Sequence, residues 1–179
     1  KIDIMGMSEV RWPGTGTCAV DGGTFYYSGS SDGDTHHRNG VGILVRESHV
    51  KFVKNVVPIS DRIMLLQFHA QPFNLNIIQV YAPTADRKYD EEVEQFYDAL
   101  ESILSGVHSN EITFIMGDFN AKIGEGRRGD LVGDFGLGIA NDRGDRLFHF
   151  CMDSGMVVTN TWFKLHKRRL YTWKSPSGD

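Results

Sequence analysis

The segment from Glu111 to Gly124, Glu-Ile-Thr-Phe-Ile-Met-Gly-Asp-Phe-Asn-Ala-Lys-Ile-Gly, constrains the fold of this chain more than any other. Its first half is apolar without a break: Ile112, Phe114, Ile115 and Met116 surround the β-branched Thr113. That composition predicts a strand covered on both faces. Gly117 then lets the backbone turn. Asp118 and Asn120 follow at alternate positions, so both point to one side if the extended conformation continues. A carboxylate and an amide are thereby offered at the mouth of a hydrophobic sheet. Gly, Asp and Asn are also what an ordinary strand exit uses, and spacing alone does not separate the two readings.

Strand patterns surround this segment. Ile2, Ile4, Met5 and Met7 form a short buried strand that runs into Ser8, Glu9, Val10 and Arg11, so Glu9 sits at a strand end as Asp118 does. A Gly/Thr-rich loop is expected through Pro13, Gly14 and Gly16, a strand at Phe25 to Tyr27, and a polar loop from Ser28 to Gly40. Val41–Val45, Val50–Val57, Ile63–Phe68 and Leu75–Tyr81 then read as strands joined by hairpins, hence antiparallel. At Asp90 the period changes. Val93, Phe96, Tyr97, Leu100, Ile103, Leu104 and Val107 follow the spacing of one helix face, with Asp90 as its cap and Glu91 and Glu92 at its positive end. Beyond Gly124 a glycine-rich loop carries Arg127 and Arg128. Asn141 or Asp142 caps a second helix that ends near Gly155, and Met156–Thr159 and Leu170–Trp173 are read as two further strands.

Strand runs interleaved with two helices predict an α/β sandwich: two packed, mainly antiparallel sheets with helices outside. Polar groups from several strand ends then converge at one rim. At 179 residues the chain is read as one domain, long enough to bury roughly 70% of its unfolded surface. Its net charge of -4 and 40% hydrophobic content, without a long apolar run, predict a soluble protein with no membrane span or signal peptide. Cys18 and Cys151 are too few for a disulfide framework or zinc site, so reduced, intracellular thiols are expected. The mildly acidic total argues against nucleic-acid binding through overall charge, but it leaves room for a local basic groove.

Two acids and an amide, Glu9, Asp118 and Asn120, each ending a buried strand, suit a hard divalent cation such as Mg²⁺. Taken singly, each has a plainer reading. Glu9 is also a turn acid or a partner for Arg11, Tyr81 a core-edge residue with a wet hydroxyl, Asn141 a helix cap, and Arg62 a partner for Asp61. The seven histidines are not spaced as a metal cluster. Lys164, His166, Lys167, Arg168 and Arg169, flanked by Trp162, Phe163, Tyr171 and Trp173, mix charge with rings. A solvated hairpin looks like this, and so does a nucleic-acid backbone contact with a stacking platform.

Seven motifs then stand in order: Ser-Glu-Val-Arg-Trp, Arg-Asn-Gly-Val-Gly-Ile, Asp-Arg-Ile-Met, Gln-Val-Tyr-Ala-Pro-Thr, Gly-Asp-Phe-Asn-Ala-Lys-Ile-Gly, Asn-Asp-Arg-Gly-Asp-Arg-Leu and Tyr-Thr-Trp-Lys-Ser-Pro. Together they resemble the endonuclease/exonuclease/phosphatase superfamily. The closer likeness is to the apurinic-type endonuclease domain of RTE-kind non-LTR retrotransposons and to craniofacial development protein 2-like sequences. The resemblance covers essentially the whole chain. It implies a four-layer α/β sandwich and Mg²⁺-dependent (or Mn²⁺-dependent) cleavage of a phosphodiester, with duplex DNA as partner, a monomeric state and a nuclear location. It also implies residue roles: Glu9 as metal ligand, Asp118 orienting and deprotonating water, Asn120 holding the scissile phosphate, and Tyr81 contacting phosphate near the leaving group. Arg62 then belongs to the supporting network, Asn141 contacts the DNA backbone, and Thr172 and Trp173 lie at the DNA-binding rim.

The pattern also departs from the family's. An Asn-bearing first strand, a Gln-Ile-Asp-Tyr-like strand and a Ser-Asp-His segment are expected in the family and do not occur between Lys1 and Asp179. The segment thus reads as a partial domain, weakly active or inactive by itself, with open hydrophobic sheet edges. Two other readings stand beside it: a phosphoesterase acting on a lipid or small-molecule phosphate, and a decayed relative serving as a DNA-binding or scaffold module.

Overall fold

A computed structural model describes residues 2–30, 39–166 and 169–170. The chain divides into two compact units, Lys1–Phe119 and Asn120–Asp179. The boundary falls inside the Gly-Asp-Phe-Asn motif.

The first unit holds two four-stranded sheets. One contains β1 (Ile4–Ser8), β2 (Thr15–Val20), β3 (Gly23–Ser28) and β4 (Val41–Arg46), in the order β1-β4-β3-β2 and antiparallel throughout. The other contains β5 (Val53–Pro58), β6 (Ile63–Phe68), β7 (Leu75–Tyr81) and β8 (Ile112–Asp118), in chain order. Pairing is antiparallel from β5 to β7 and parallel between β7 and β8. The parallel pair requires a crossover, and the connection carries α2 (Asp90–Gly106). A short α1 (Glu47–Val50) links the two sheets.

Strand periodicity builds the core. Val41, Ile43 and Val45 of β4 join Met64, Leu66 and Phe68 of β6 and Ile77 and Tyr81 of β7 in one buried cluster, every second residue pointing inward. Ile63, Leu65, Ile78 and Val80 are buried on the opposite face of the second sheet, and α2 buries the stripe Val93, Phe96, Tyr97 and Leu100. Both faces of β6 and β7 are therefore mostly apolar, with Gln67, Asn76 and Gln79 as the polar exceptions.

In the second unit, α3 (Asp142–Ser154) buries Leu147, Phe150 and Cys151 and stops at Gly155, whose φ of 66° gives the left-handed C-terminal cap. The loop before it is tied to the segment after it. Thr161 Oγ1 accepts from Gly133 N at 2.7 Å and donates to Val158 O at 2.6 Å.

The α/β class and the two packed sheets agree with the sequence pattern, but several local readings need correction. The Ile112–Met116 strand is the last of its sheet and is not covered on both faces. Ile112 remains 45% exposed and Phe114 50% exposed. Thr15–Val20, which begins inside the loop expected through Pro13, Gly14 and Gly16, is an edge strand with mostly exposed side chains, so no apolar alternation marked it. Val50 closes α1, and the following strand starts at Val53. Asp90 does not cap α2: the N-cap is Tyr89, while the Asp86 carboxylate accepts from Lys88 N one turn earlier. Met156–Thr159 contributes only an isolated bridge, Val132 to Val158, before a 3₁₀ turn at Thr159–Thr161. Leu170–Trp173 lies almost wholly outside the described residues.

Candidate active site

The first unit assembles a polar constellation where β1, β7 and β8 end. The parallel register sets Tyr81 of β7 beside Asp118 of β8, and Ala82 N donates to Asp118 O at 2.8 Å. The two sheets are tied close by: Ser8 Oγ donates to Val80 O at 3.0 Å, and Gln79 Nε2 donates to Ser8 Oγ at 3.1 Å. Glu9, next along from Ser8, is thereby carried to the Tyr81 side chain. The Tyr81 hydroxyl donates to Glu9 Oε1 at 3.2 Å, and Arg11 Nη2 donates to Glu9 Oε2 at 2.6 Å. Both carboxylate oxygens are engaged.

The strand exit that holds Glu9 is clamped from outside. Val10 N donates to Gly40 O at 3.0 Å and Arg11 N to Asn39 O at 2.8 Å. Gly40 N in turn donates to Asp61 O at 2.9 Å, and Asn39 Nδ2 to Asp61 Oδ2 at 2.8 Å. Gly40 is obligatory here, since its φ is 119° and a Cβ would stand 2.8 Å from Arg11 N.

Arg62 braces Tyr81. Its carbonyl accepts from Tyr81 N at 2.9 Å, its Nη1 donates to Tyr81 O at 3.3 Å, and its guanidinium carbon lies 5.5 Å from the ring centroid. The ion-pair partner is Glu92 in the first turn of α2, at 3.5 Å, rather than the neighbouring Asp61 that the sequence offered. Burial raises the Tyr81 pKa above its ordinary value, followed by the charge and hydrogen bond of Glu9, with Arg62 opposing and Asp118 adding. The Tyr81 hydroxyl therefore stays a proton donor, and both Glu9 and Asp118 act on it.

In the second unit, Asn120 has φ 47°, so the chain has left the extended conformation in which Asp118 and Asn120 were expected to share a side. Asn141 caps α3, its Oδ1 accepting from Gly144 N at 2.9 Å and from Lys122 N at 3.0 Å. Thr172 and Trp173 lie outside the described residues, as do Lys167 and Arg168 of the basic run. Glu9, Arg62, Tyr81 and Asp118 are thus brought together within one unit.

Among the described residues, no group of three or more His, Cys, Asp or Glu side chains could hold a metal ion. Glu9 and Asp118 supply oxygen donors of the kind a hard cation takes, and Mg²⁺ is usually held by one or two carboxylates with water and phosphate completing the shell. The donor set fits such an ion as a shared site, not as a closed cage.

Sequence reasoning named Arg11 only as a plain partner for Glu9 and passed over Asn39, Gly40, Asp61 and Glu92 as parts of the site. The signal was present in Arg-Asn-Gly-Val-Gly, where a glycine interrupts the approach to a buried strand. What it contacts could not be read locally.

Three comparisons bear on this arrangement. The sequence pattern of the Endonuclease/Exonuclease/phosphatase family matches residues 1–177. The chain is 40% identical over 178 residues to craniofacial development protein 2 of Bos taurus, covering 99% of this chain and 29% of that protein. The chain thus spans less than a third of that relative's length. In fold it is similar to an AP endonuclease from Leishmania major, at a TM-score of 0.55 and 9% identity, over 85% of this chain and 57% of that one. It is also similar to an AP endonuclease from Archaeoglobus fulgidus, at 0.51 and 17%, over 84% and 60%. With the family pattern running almost end to end over a sandwich of this kind, the chain belongs to the endonuclease/exonuclease/phosphatase family.

Proposed function

We propose that this chain carries part of a Mg²⁺-dependent DNA endonuclease site of the retrotransposon type. The observation that supports it best is the convergence of Tyr81 and Arg11 on the two oxygens of Glu9, with Asp118 at the adjoining strand end. In this reading Glu9 is the metal ligand, with Mn²⁺ as an alternative ion. When bound, the cation neutralises charge that builds on the phosphate and the leaving oxygen. Asp118 orients a water in line with the scissile bond and takes its proton, a contribution of ~10²- to 10⁴-fold. Tyr81 donates to a phosphate oxygen near the leaving group, and Arg62 keeps its ring in place. Asn120 holds the scissile phosphate. Asn141 contacts the DNA backbone, as does the basic and aromatic run from Trp162 to Arg169, and Thr172 and Trp173 serve the DNA-binding rim.

The chain by itself is proposed to hydrolyse DNA weakly. No histidine or third acid joins Glu9 and Asp118 in a metal-binding group among the described residues. The test is nicking of supercoiled plasmid with Mg²⁺, comparing the chain with Asp118→Ala. Slow, Mg²⁺-dependent nicking that disappears in the variant supports the reading. Nicking that is indifferent to both Mg²⁺ and Asp118 overturns it. Titration with duplex DNA across salt separates a DNA partner from a small phosphorylated one, because phosphate contacts make affinity fall steeply with salt.

A further inference from the structure

Glu9 and Arg11 both have φ of 57°, in the left-handed region, although neither is Gly, Asn or Asp. Such a conformation is costly for a residue with a Cβ and persists only where its surroundings over-determine it. Here the Asn39 and Gly40 carbonyls, themselves held by Asp61, do so. The strain is not explained by the ion pair it produces. The Arg11 side chain is 63% exposed and that of Glu9 45% exposed, and a pair this open contributes little to stability.

We propose that Arg11 is a latch on Glu9 that changes partner when the site is loaded. Its guanidinium sits 2.6 Å from Glu9 Oε2. A divalent cation held by Glu9 would compete with the guanidinium for the carboxylate and so release it. Tyr81 stays on Oε1 until substrate phosphate accepts its hydrogen bond, so the carboxylate keeps its orientation while the cation arrives. The freed guanidinium then binds a phosphate oxygen of the substrate, for which its planar fork of donors is suited. Because the backbone of Arg11 is clamped, the exchange needs rotation of the side chain alone. The proposal rests on the reading of Glu9 as a cation ligand and adds a substrate-contacting residue to it.

Its signature is two effects of opposite sign in one variant. Arg11→Gly removes the guanidinium and suits a φ of 57° better than arginine does, so folding is retained. Mn²⁺ alone, followed by its electron paramagnetic resonance signal, is expected to bind Arg11→Gly about two- to fivefold tighter than the parent chain. Binding of a short duplex oligonucleotide in Ca²⁺ is expected to weaken, with the slope of log affinity against log salt smaller by about 1. In EDTA that slope difference vanishes. Arg11→Lys, which keeps the charge, moves both quantities back toward the parent. Unchanged or weaker Mn²⁺ binding by Arg11→Gly, or an unchanged salt slope in Ca²⁺, overturns the latch. Glu9→Gln distinguishes the two levels: if it leaves Mn²⁺ binding of the parent chain intact, the reading of Glu9 fails, and the latch fails with it.

Discussion

The Tyr81 hydroxyl donates to Glu9 Oε1 at 3.2 Å, joining residues 72 positions apart, one ending a strand of the second sheet and the other just past a strand of the first. Neither side chain finds the other without the sandwich. Tyr81→Phe keeps the buried ring and removes the donor, so the expected loss of stability is small, ~1 kcal/mol, while any Mg²⁺-dependent nicking falls by more than that loss can account for. Urea unfolding and plasmid nicking on one preparation check the split.

The same contact predicts behaviour at alkaline pH. Burial, then Glu9, raises the Tyr81 pKa, so between the unfolded and folded values the native state holds a proton that the unfolded chain has released. This contribution is full below about 10, the ordinary tyrosine value, and is lost as pH rises through the higher folded value. Burial raises Tyr26 as well, so spectrophotometric titration of the tyrosines is expected to lose one of its late-ionising groups in Tyr81→Phe and to show that group shifted downward in Glu9→Gln.

At the other end of the second sheet, Glu111 accepts from Asn74 at 2.9 Å and from Asn76 at 3.0 Å. The Asn76 bond, then the Asn74 bond, holds its pKa below the ordinary carboxylate value. Stability from this group is present above the unfolded pKa, near 4.3, and is lost as pH falls through the lower folded value. Thermal midpoints measured on the acid side should decline less steeply in Glu111→Gln than in the parent chain.

Gly117 carries φ 138°, and a Cβ there would stand 2.0 Å from Val80 O. Gly117→Ala therefore meets both a forbidden conformation and the backbone of the neighbouring strand. A loss of roughly 3 kcal/mol is expected, with β7 and β8 pushed apart where Tyr81 and Asp118 are registered. A denaturation curve indistinguishable from the parent's would sink this account.

Asn141 can be tested without confusing its two assignments. Asn141→Asp keeps the oxygen that accepts from Gly144 N and Lys122 N, whereas Asn141→Ala removes it and is expected to cost ~1 kcal/mol. If Asn141 also contacts a DNA backbone, Asn141→Asp preserves the melting temperature and weakens duplex binding, through a carboxylate set against phosphate.

Much of the architecture was legible because it depends on local period and length. Apolar runs of strand length marked β4, β6 and β7, the 3.6-residue stripe marked α2, and Asn141 and Gly155 bracketed α3. Edge strands were the weak point. Thr15–Val20 shows no alternation because little of it is buried, and Ile112 and Phe114 look like core while standing on the last strand of their sheet. Partners were harder still. Arg62 has an acid beside it in Asp61, yet it pairs with Glu92.

What the sequence determined by itself was chemical supply: which strands end in an acid, an amide or a tyrosine, and where glycines permit a turn. These are properties of neighbours along the chain, set by side-chain period and backbone sterics. The tertiary structure decided the pairing of Tyr81 with Glu9, the clamp of Asn39 and Gly40 on the Glu9–Arg11 turn, and the parallel register that seats Asp118 beside Tyr81. Those depend on which strand lies next to which. Strand order is fixed by burial of faces and crossover of the chain, not by any spacing that a linear pattern contains.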